Sequence, residues 1–186
     1  LLHDGCARAA GDPSMIRVGG DRREALELIR EASLTGQAQL SPQAFLERVC
    51  VDVAGAFDLD RVAAARSHAV SGAVSEIAFA GAPATGLAGR RPISSAPLLA
   101  QAHERGDLVH VSSWDVGDAF LEFALPLISD GRCLGFLFGS RRGIVPVDED
   151  ELDVLRTIGV IAATLFNGAL VREDLQQRDL LKSEFI

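Results

Sequence analysis

The sequence predicts a layered α/β domain, strands and helices mixed in α+β fashion, and three observations in its second half carry that expectation. The first is the apolar run Phe120-Leu-Glu-Phe-Ala-Leu-Pro-Leu-Ile128, followed by Ser129-Asp130-Gly131-Arg132. Asp-Gly between apolar runs signals a tight hairpin, because both turn positions need φ > 0. The second is the strand after that turn, Cys133 to Ser140, which is apolar on both faces. Such a strand lies inside a sheet covered on its two sides. The third is a long amphipathic helix from Asp148 onward, which supplies one of the covers.

The rest of the chain is read in order around this centre. Residues 1–20 hold Gly5, Gly11, Pro13, Gly19 and Gly20 without a sustained period and read as a flexible leader. Asp21-Arg-Arg-Glu24 is a capping-box pattern that opens an N-terminal flanking helix within 21–40, with Leu26, Ile29 and Leu34 on its apolar side and Gly36 as its stop. Ser41-Pro42 marks the first helix of the folded domain, in which Phe45, Leu46, Val49, Val53 and Phe57 recur at i, i+3, i+4 spacing. Arg61 to Val70 and Ala73 to Gly81 are expected strands separated by Ser71-Gly72, with Val62, Val70, Ile77 and Phe79 turned inward. Gly81 to Pro92 is a loop, and Ser95 to Arg105 a short helix closed by Gly106. Leu108 to Val111 is a brief edge strand, and Ser112 to Asp118 a polar loop that carries the only tryptophan, Trp114.

The last helix opens with Asp148 as cap and Glu151 three residues later, and its acidic residues are massed where the helix dipole favours them. Leu152, Leu155, Ile158, Ile161 or Ala162, Leu165 and Ala169 form its stripe. Past Val171 the apolar positions thin to Leu175, Leu180, Leu181 and Phe185 among charges and glutamines. A helix this polar cannot bury its stripe in its own domain, so 172–186 is expected to run on as a coiled coil with a second copy.

Composition narrows the function. The chain has 186 residues, 48% hydrophobic and 24% charged, which fits one domain plus flanking helices and needs no disulfide staples. A net charge of -8 argues against nonspecific binding to nucleic acid or to an anionic membrane surface. Lys182 is the only lysine, and the bias to Arg and Ala suggests a bacterium with a GC-rich genome. Cys6, Cys50 and Cys133 lack the CxxC spacing of zinc or redox sites, and a reducing cytoplasm is the default they imply. The run Ile158 to Val171 falls short of the roughly 20 residues that a membrane span needs, and the first residues make no signal peptide. Leu1 in place of an initiator Met reads as a fragment or trimmed chain.

Ala124-Leu-Pro-Leu127, Asp130-Gly131, Leu134-Gly135-Phe-Leu-Phe-Gly139 and Val147-Asp-Glu-Asp-Glu-Leu-Asp-Val-Leu155, followed by an Ala-rich helix, resemble the second half of a GAF domain. The resemblance implies that residues 41–171 form one such domain. Its centre would be an antiparallel sheet of five or six strands, with helices 41–57 and 148 onward on one face and the short helix with loops on the other. It further implies a sensory or regulatory module that binds a small molecule or partner and is not itself an enzyme. Leu180-Leu-Lys-Ser-Glu-Phe-Ile186 resembles the entry to the dimerisation helix of bacterial sensor histidine kinases. A downstream kinase module in the same polypeptide, within a two-component system, follows from that likeness. A transcription regulator or cyclase as output, and a ligand-free dimerisation spacer, stand as alternatives.

Cofactor signatures of the family are missing. Haem-binding relatives place a histidine in the loop ahead of the short helix, and Gly81 to Ile93 contains none. No two of His3, His68, His103 and His110 have a metal-ligand spacing, so no metal site is expected. The Asn-Lys pair of cyclic-nucleotide-binding relatives does not occur, and neither Cys50 nor Cys133 has the neighbouring histidine that a bilin needs. Some relatives reduce free methionine sulfoxide with paired thiols, but Cys133 falls in the apolar strand and Cys50 on the first helix, with no flanking cation arranged to form a thiolate. Trp114 with Ser112, Ser113 and Asp115 is the most chemically mixed stretch. It either caps the edge of the core or joins His110, Ser112, Phe120 and Phe123 in an apolar pocket with a few polar groups. Arg90-Arg91 and Arg141-Arg142 read as solvated loop charges.

Overall fold

Helix α1, Pro42–Ala56, starts where its local chemistry says it must: proline occupies the first turn and the Ser41 side chain accepts a hydrogen bond from the Ala44 N–H at 3.2 Å. The five residues expected on its inner face, Phe45, Leu46, Val49, Val53 and Phe57, are all buried. The helix stops through a Phe57 N–H to Val53 carbonyl bond of 3.2 Å, and Asp58 turns the chain at φ 49°. The structure, a computed structural model, describes residues 40–67, 74–81, 96–115, 118–143 and 148–184. The expected leader and flanking helix, the loop ahead of the short helix, Val70 and Phe185 lie outside those residues.

Five strands follow among the described residues: β1 Arg61–Ser67, β2 Val74–Gly81, β3 Val109–Asp115, β4 Asp118–Ser129 and β5 Arg132–Gly143. They form one antiparallel sheet in the order β2-β1-β5-β4-β3. The sheet sits between the two helical covers that the sequence predicts. Asp130 and Gly131 take φ of 52° and 71°, the positive pair expected of the β4–β5 turn. Helix α2, Ala96–Arg105, ends on Gly106 at φ 66°, whose N–H reaches the Ala102 carbonyl at 3.0 Å. Helix α3, Glu149–Glu184, closes the chain.

The polar stretch expected as a loop is a strand instead. Ser112, Ser113 and Trp114 continue β3 and pair with Leu121, Phe120 and Ala119 of β4. The backbone pairing is satisfied whatever the side chains, and an exposed sheet edge tolerates serines. Phe79 also departs from expectation, being 39% exposed. It lies on edge strand β2 at the register position of Ala63, on the face away from α1.

Strand alternation divides the apolar residues between two faces. On one, Val62, Ala64, Leu121, Phe123, Leu125, Leu127 and Leu137 meet α1 and α3 in the main core. Phe45 of α1 stacks on Phe166 of α3 with ring centroids 6.3 Å apart. A fully buried Phe or Leu of this kind contributes about 1.5–3 kcal/mol through burial. Glycines permit close approach within the sheet and between its layers: a Cβ at Gly135 of β5 would collide with the Ala65 carbonyl oxygen of neighbouring β1, and one at Gly159 of α3 would stand 2.8 Å from Leu125 Cδ2.

The first turn of α3 is locked by a buried ion pair. Asp148 Oδ1 accepts the Glu151 N–H at 2.7 Å, as a cap should. The Glu151 carboxylate, 4% exposed, takes a forked pair of bonds from Arg141 at 2.7 and 3.1 Å. Arg141 also donates to the Phe57 carbonyl at 2.9 Å, so β5, α3 and the end of α1 meet on one guanidinium. The expectation of a solvated Arg141 is thereby overturned, because Arg141 falls on the core-facing register of β5. Arg142, one residue on, is exposed and fits the expectation.

By length and composition α3 could cross a membrane, with a stretch of mean hydropathy 1.7. Its Leu155, Ile158 and Phe166, however, are fully buried among the sheet and α1. The helix continues without a break through the expected boundary at 171–172, and from Asp174 to Ser183 every residue is exposed.

Candidate functional site

The candidate site lies on the face opposite α1 and α3. Ala63 and Ala65 of β1, Val109 of β3, Ala124 of β4 and Phe136 and Phe138 of β5 form its apolar floor, against which Leu98 and Ala102 of α2 pack. Phe136 and Phe138 stack with centroids 6.1 Å apart, and the His103 ring of α2 stands tilted over Phe136 at 6.1 Å. The register sets these residues in rows across the strands. Phe79, Ala63, Phe138, Ala124 and Val109 make one row, in which two alanines flank a phenylalanine.

The next row on the same face is polar. Arg61 of β1 pairs with Ser140 of β5, and Ser140 with Glu122 of β4. All three are half-buried. Arg61 Nε is shielded from solvent and has no hydrogen-bond partner. Neither Arg61 nor Glu122 belongs to an ion pair among the described residues. Beyond the row, the Arg142 guanidinium lies 5.9 Å from the centre of the Phe120 ring, and the Arg142 N–H donates to Asp60 Oδ2 at 2.8 Å. An apolar floor bounded by a few converging polar groups is how small-molecule sites are built.

The five residues proposed from sequence do not meet in one pocket. Phe123 is completely buried in the main core, and His110 and Ser112 occupy register positions opposite Phe123 and Leu121, on that same side. Phe120 is on the other face with Arg142. The Trp114 backbone pairs with Ala119, and its side chain lies outside what is described. Residues three apart in a strand point to opposite sides, so Phe120 and Phe123 could never have shared a cavity. Sequence reasoning missed Arg61, Glu122 and Ser140. Alternation from Phe136 and Phe138 to Ser140 was the signal that could have found them.

Cys50 sits in the main core and Cys133 packs against the second cluster, so the sheet separates the two thiols. Burial pushes the Cys133 thiol above its usual range, with the Gly135 backbone opposing, which makes it a weak nucleophile at neutral pH. Among the described residues no group of three or more His, Cys, Asp or Glu is placed to hold a metal ion. A concavity of about 350 Å³ opens elsewhere, between Arg66, Arg132 and Cys133 at the sheet's end and Leu170, Val171 and Leu175 of α3.

No family sequence profile matches the chain, and no curated protein does. Solved structures do. The GAF domain of a phosphoenolpyruvate-protein phosphotransferase from Coxiella burnetii matches with a TM-score of 0.62 at 17% identity, over 83% of this chain and 97% of that one. Free methionine-R-sulfoxide reductase from Neisseria meningitidis matches at 0.62 and 21% identity, over 81% and 91%. The GAF domain of a putative sensor histidine kinase from Pseudomonas syringae pv. tomato matches at 0.53 and 17% identity, over 84% and 94%. The chain therefore has the GAF fold. Likeness at these identities speaks for architecture and leaves function to the site.

Proposed function

We propose that the chain is a sensory or regulatory domain that takes a small molecule on the face of Arg61, Glu122 and Phe138 and passes the signal out through α3. The single observation that carries this reading is the continuity of α3. One unbroken helix supplies core residues Leu155, Ile158 and Phe166, all fully buried, and then an exposed tail with Val171, Leu175, Leu180 and Leu181 outward. Whatever shifts the sheet must shift the tail, which biases an attached module between two states.

The tail needs a companion. No charged residue occurs between Arg156 and Arg172, yet Thr157, Val160 and Thr164 face outward there, Val160 being 66% exposed. A homodimer through the terminal helices covers that stripe. The resemblance of Leu180 to Ile186 to a kinase dimerisation entry supports a histidine kinase module as the effector in the same polypeptide. The separated cysteines support a role without catalysis, in a reducing cytoplasm, the charge of -8 supports one without nucleic acid, and the burial of Leu155, Ile158 and Phe166 supports one without membrane insertion. The close packing of Phe136, Phe138 and Leu98, all buried, favours a second reading as a ligand-free dimerisation spacer.

Thermal unfolding of the purified chain against a metabolite panel, with light scattering for mass, tests these readings. A ligand that raises the midpoint and a dimeric mass support the sensor. A flat panel with a dimer favours the spacer, and a monomer at all concentrations removes the proposed route for the signal.

A further inference from the structure

The concavity between the end of the sheet and the departing α3 is shaped by an irregularity in β5. Leu127 pairs with Gly135 and Ile128 with Cys133, so Leu134 is an extra residue that β4 does not match. A bulge of this kind re-aims the side chain it carries. Alternation from Phe136 would set Leu134 on the face of α2, yet it joins the main core on the side of α3. There it becomes one wall of the space of about 350 Å³, with Leu170, Val171 and Leu175 of α3 as another. Val171 and Leu175 are 52% and 54% exposed, so part of this apolar lining still meets water.

The charges around the space do not balance. Arg66, Arg132 and Asp174 line it. Asp174 is held by Arg178 at 2.8 Å, and Arg66 by Glu173 at 3.5 Å. Arg132 has neither an ion pair nor a side-chain hydrogen bond among the described residues, which leaves one positive charge over. We infer that this cavity takes a small apolar monocarboxylate, its carboxylate on Arg132 and its body against Leu134, Leu170 and Val171. The guanidinium fork fits a carboxylate, and the Ser67 hydroxyl, on the same lining, can donate to it. Water occupies about 30 Å³ a molecule in the liquid, so the space holds about twelve atoms of that size. Octanoate and hydrocinnamate are acids of those dimensions. A phosphate monoester, with a charge of about -2, would set its second charge against Asp174 and Glu173. An amine is repelled by Arg132. The site is on the opposite side of the sheet from Arg61 and Phe138 and does not rest on the reading of that face. Its occupant touches α3 itself, at the start of the exposed tail.

Calorimetry and thermal unfolding of the full chain test this with octanoate and hydrocinnamate, each beside its primary amide. Octylamine, octyl phosphate and inorganic phosphate complete the set. The expected result is saturable binding of one acid per chain, weakened about tenfold or more in the amide because a bond to a charged group is lost. R132Q should weaken the acid by the same factor, leave the amide unchanged, and leave the unfolding midpoint without ligand where it was. L175Q, at an exposed position, should weaken acid and amide alike. Binding that ignores R132Q and disappears in R61Q belongs to the other face of the sheet and overturns the inference. Uptake without saturation, shared by acid, amide and amine, overturns it too, as does a preference for either phosphate. Failure of both acids to bind also overturns it, and a light-scattering mass that falls in L175Q would then give the cavity to a second copy of the chain.

Discussion

Separating Arg141 from Glu151 should cost more stability than any surface change in this chain. The guanidinium and carboxylate are 15% and 4% exposed and share a fork of 2.7 and 3.1 Å, and Arg141 also holds the Phe57 carbonyl at 2.9 Å. At an effective dielectric constant of about 20 such a contact is worth about 4 kcal/mol of attraction, much of it offset by the desolvation of both ions. Removing one partner forfeits the attraction and leaves the other charge buried, so Arg141→Met and Glu151→Leu should each lose about 3–5 kcal/mol. The double variant Arg141→Met with Glu151→Leu leaves neither charge and should lose far less than the sum. Urea unfolding of the four proteins, followed by circular dichroism at constant pH, gives the coupling directly. Single losses under about 1 kcal/mol, or a double loss equal to the sum, would refute the claim that this pair fastens α3 to β5.

Three further outcomes are expected. Gly135→Ala should destabilise by about 2 kcal/mol or more in urea, because its Cβ meets the rigid Ala65 carbonyl; Gly159→Ala should cost less than about 1 kcal/mol, since the flexible Leu125 yields and alanine favours helix. Equal losses would contradict that ranking. Ser41→Ala should lose about 1 kcal/mol by the same measurement, with Ser41→Asp retaining the wild-type midpoint. Burial raises the Cys133 thiol above the ordinary 9.0, so the unfolded chain ionises first as pH rises. The stability that Cys133 contributes is complete below about pH 9 and falls away as pH climbs through the native value, and Cys133→Ala should flatten the decline of urea midpoints above about pH 9.

Features fixed by short stretches of chain were legible without a structure. Ser41-Pro42, Asp130-Gly131 and Asp148 with its following acids each carry a turn or cap whose geometry the residues themselves dictate, and each stands where expected. Features that depend on which strand lies beside which were not. Ser112 to Asp115 read as loop because their pairing comes from β4, and Phe79 read as core because nothing local says that β2 is an edge. The site suffered most from this. His110, Ser112, Trp114, Phe120 and Phe123 are close in sequence and register but divided by the sheet, whereas Arg61, Ser140 and Glu122 are far apart in sequence and adjacent across three strands.

The tip of the β4–β5 hairpin is not free. Asn167 of α3 donates to Ser129 Oγ at 3.3 Å and to Asp130 Oδ2 at 3.0 Å, six residues before Glu173, whose carboxylate pairs with Arg66 of β1 at 3.5 Å. Under the proposed function, a twist of β5, which carries Ser140, Phe138 and Phe136 on the candidate face, would reach α3 through these ties and be carried out along an exposed arm about ten residues long, about 15 Å.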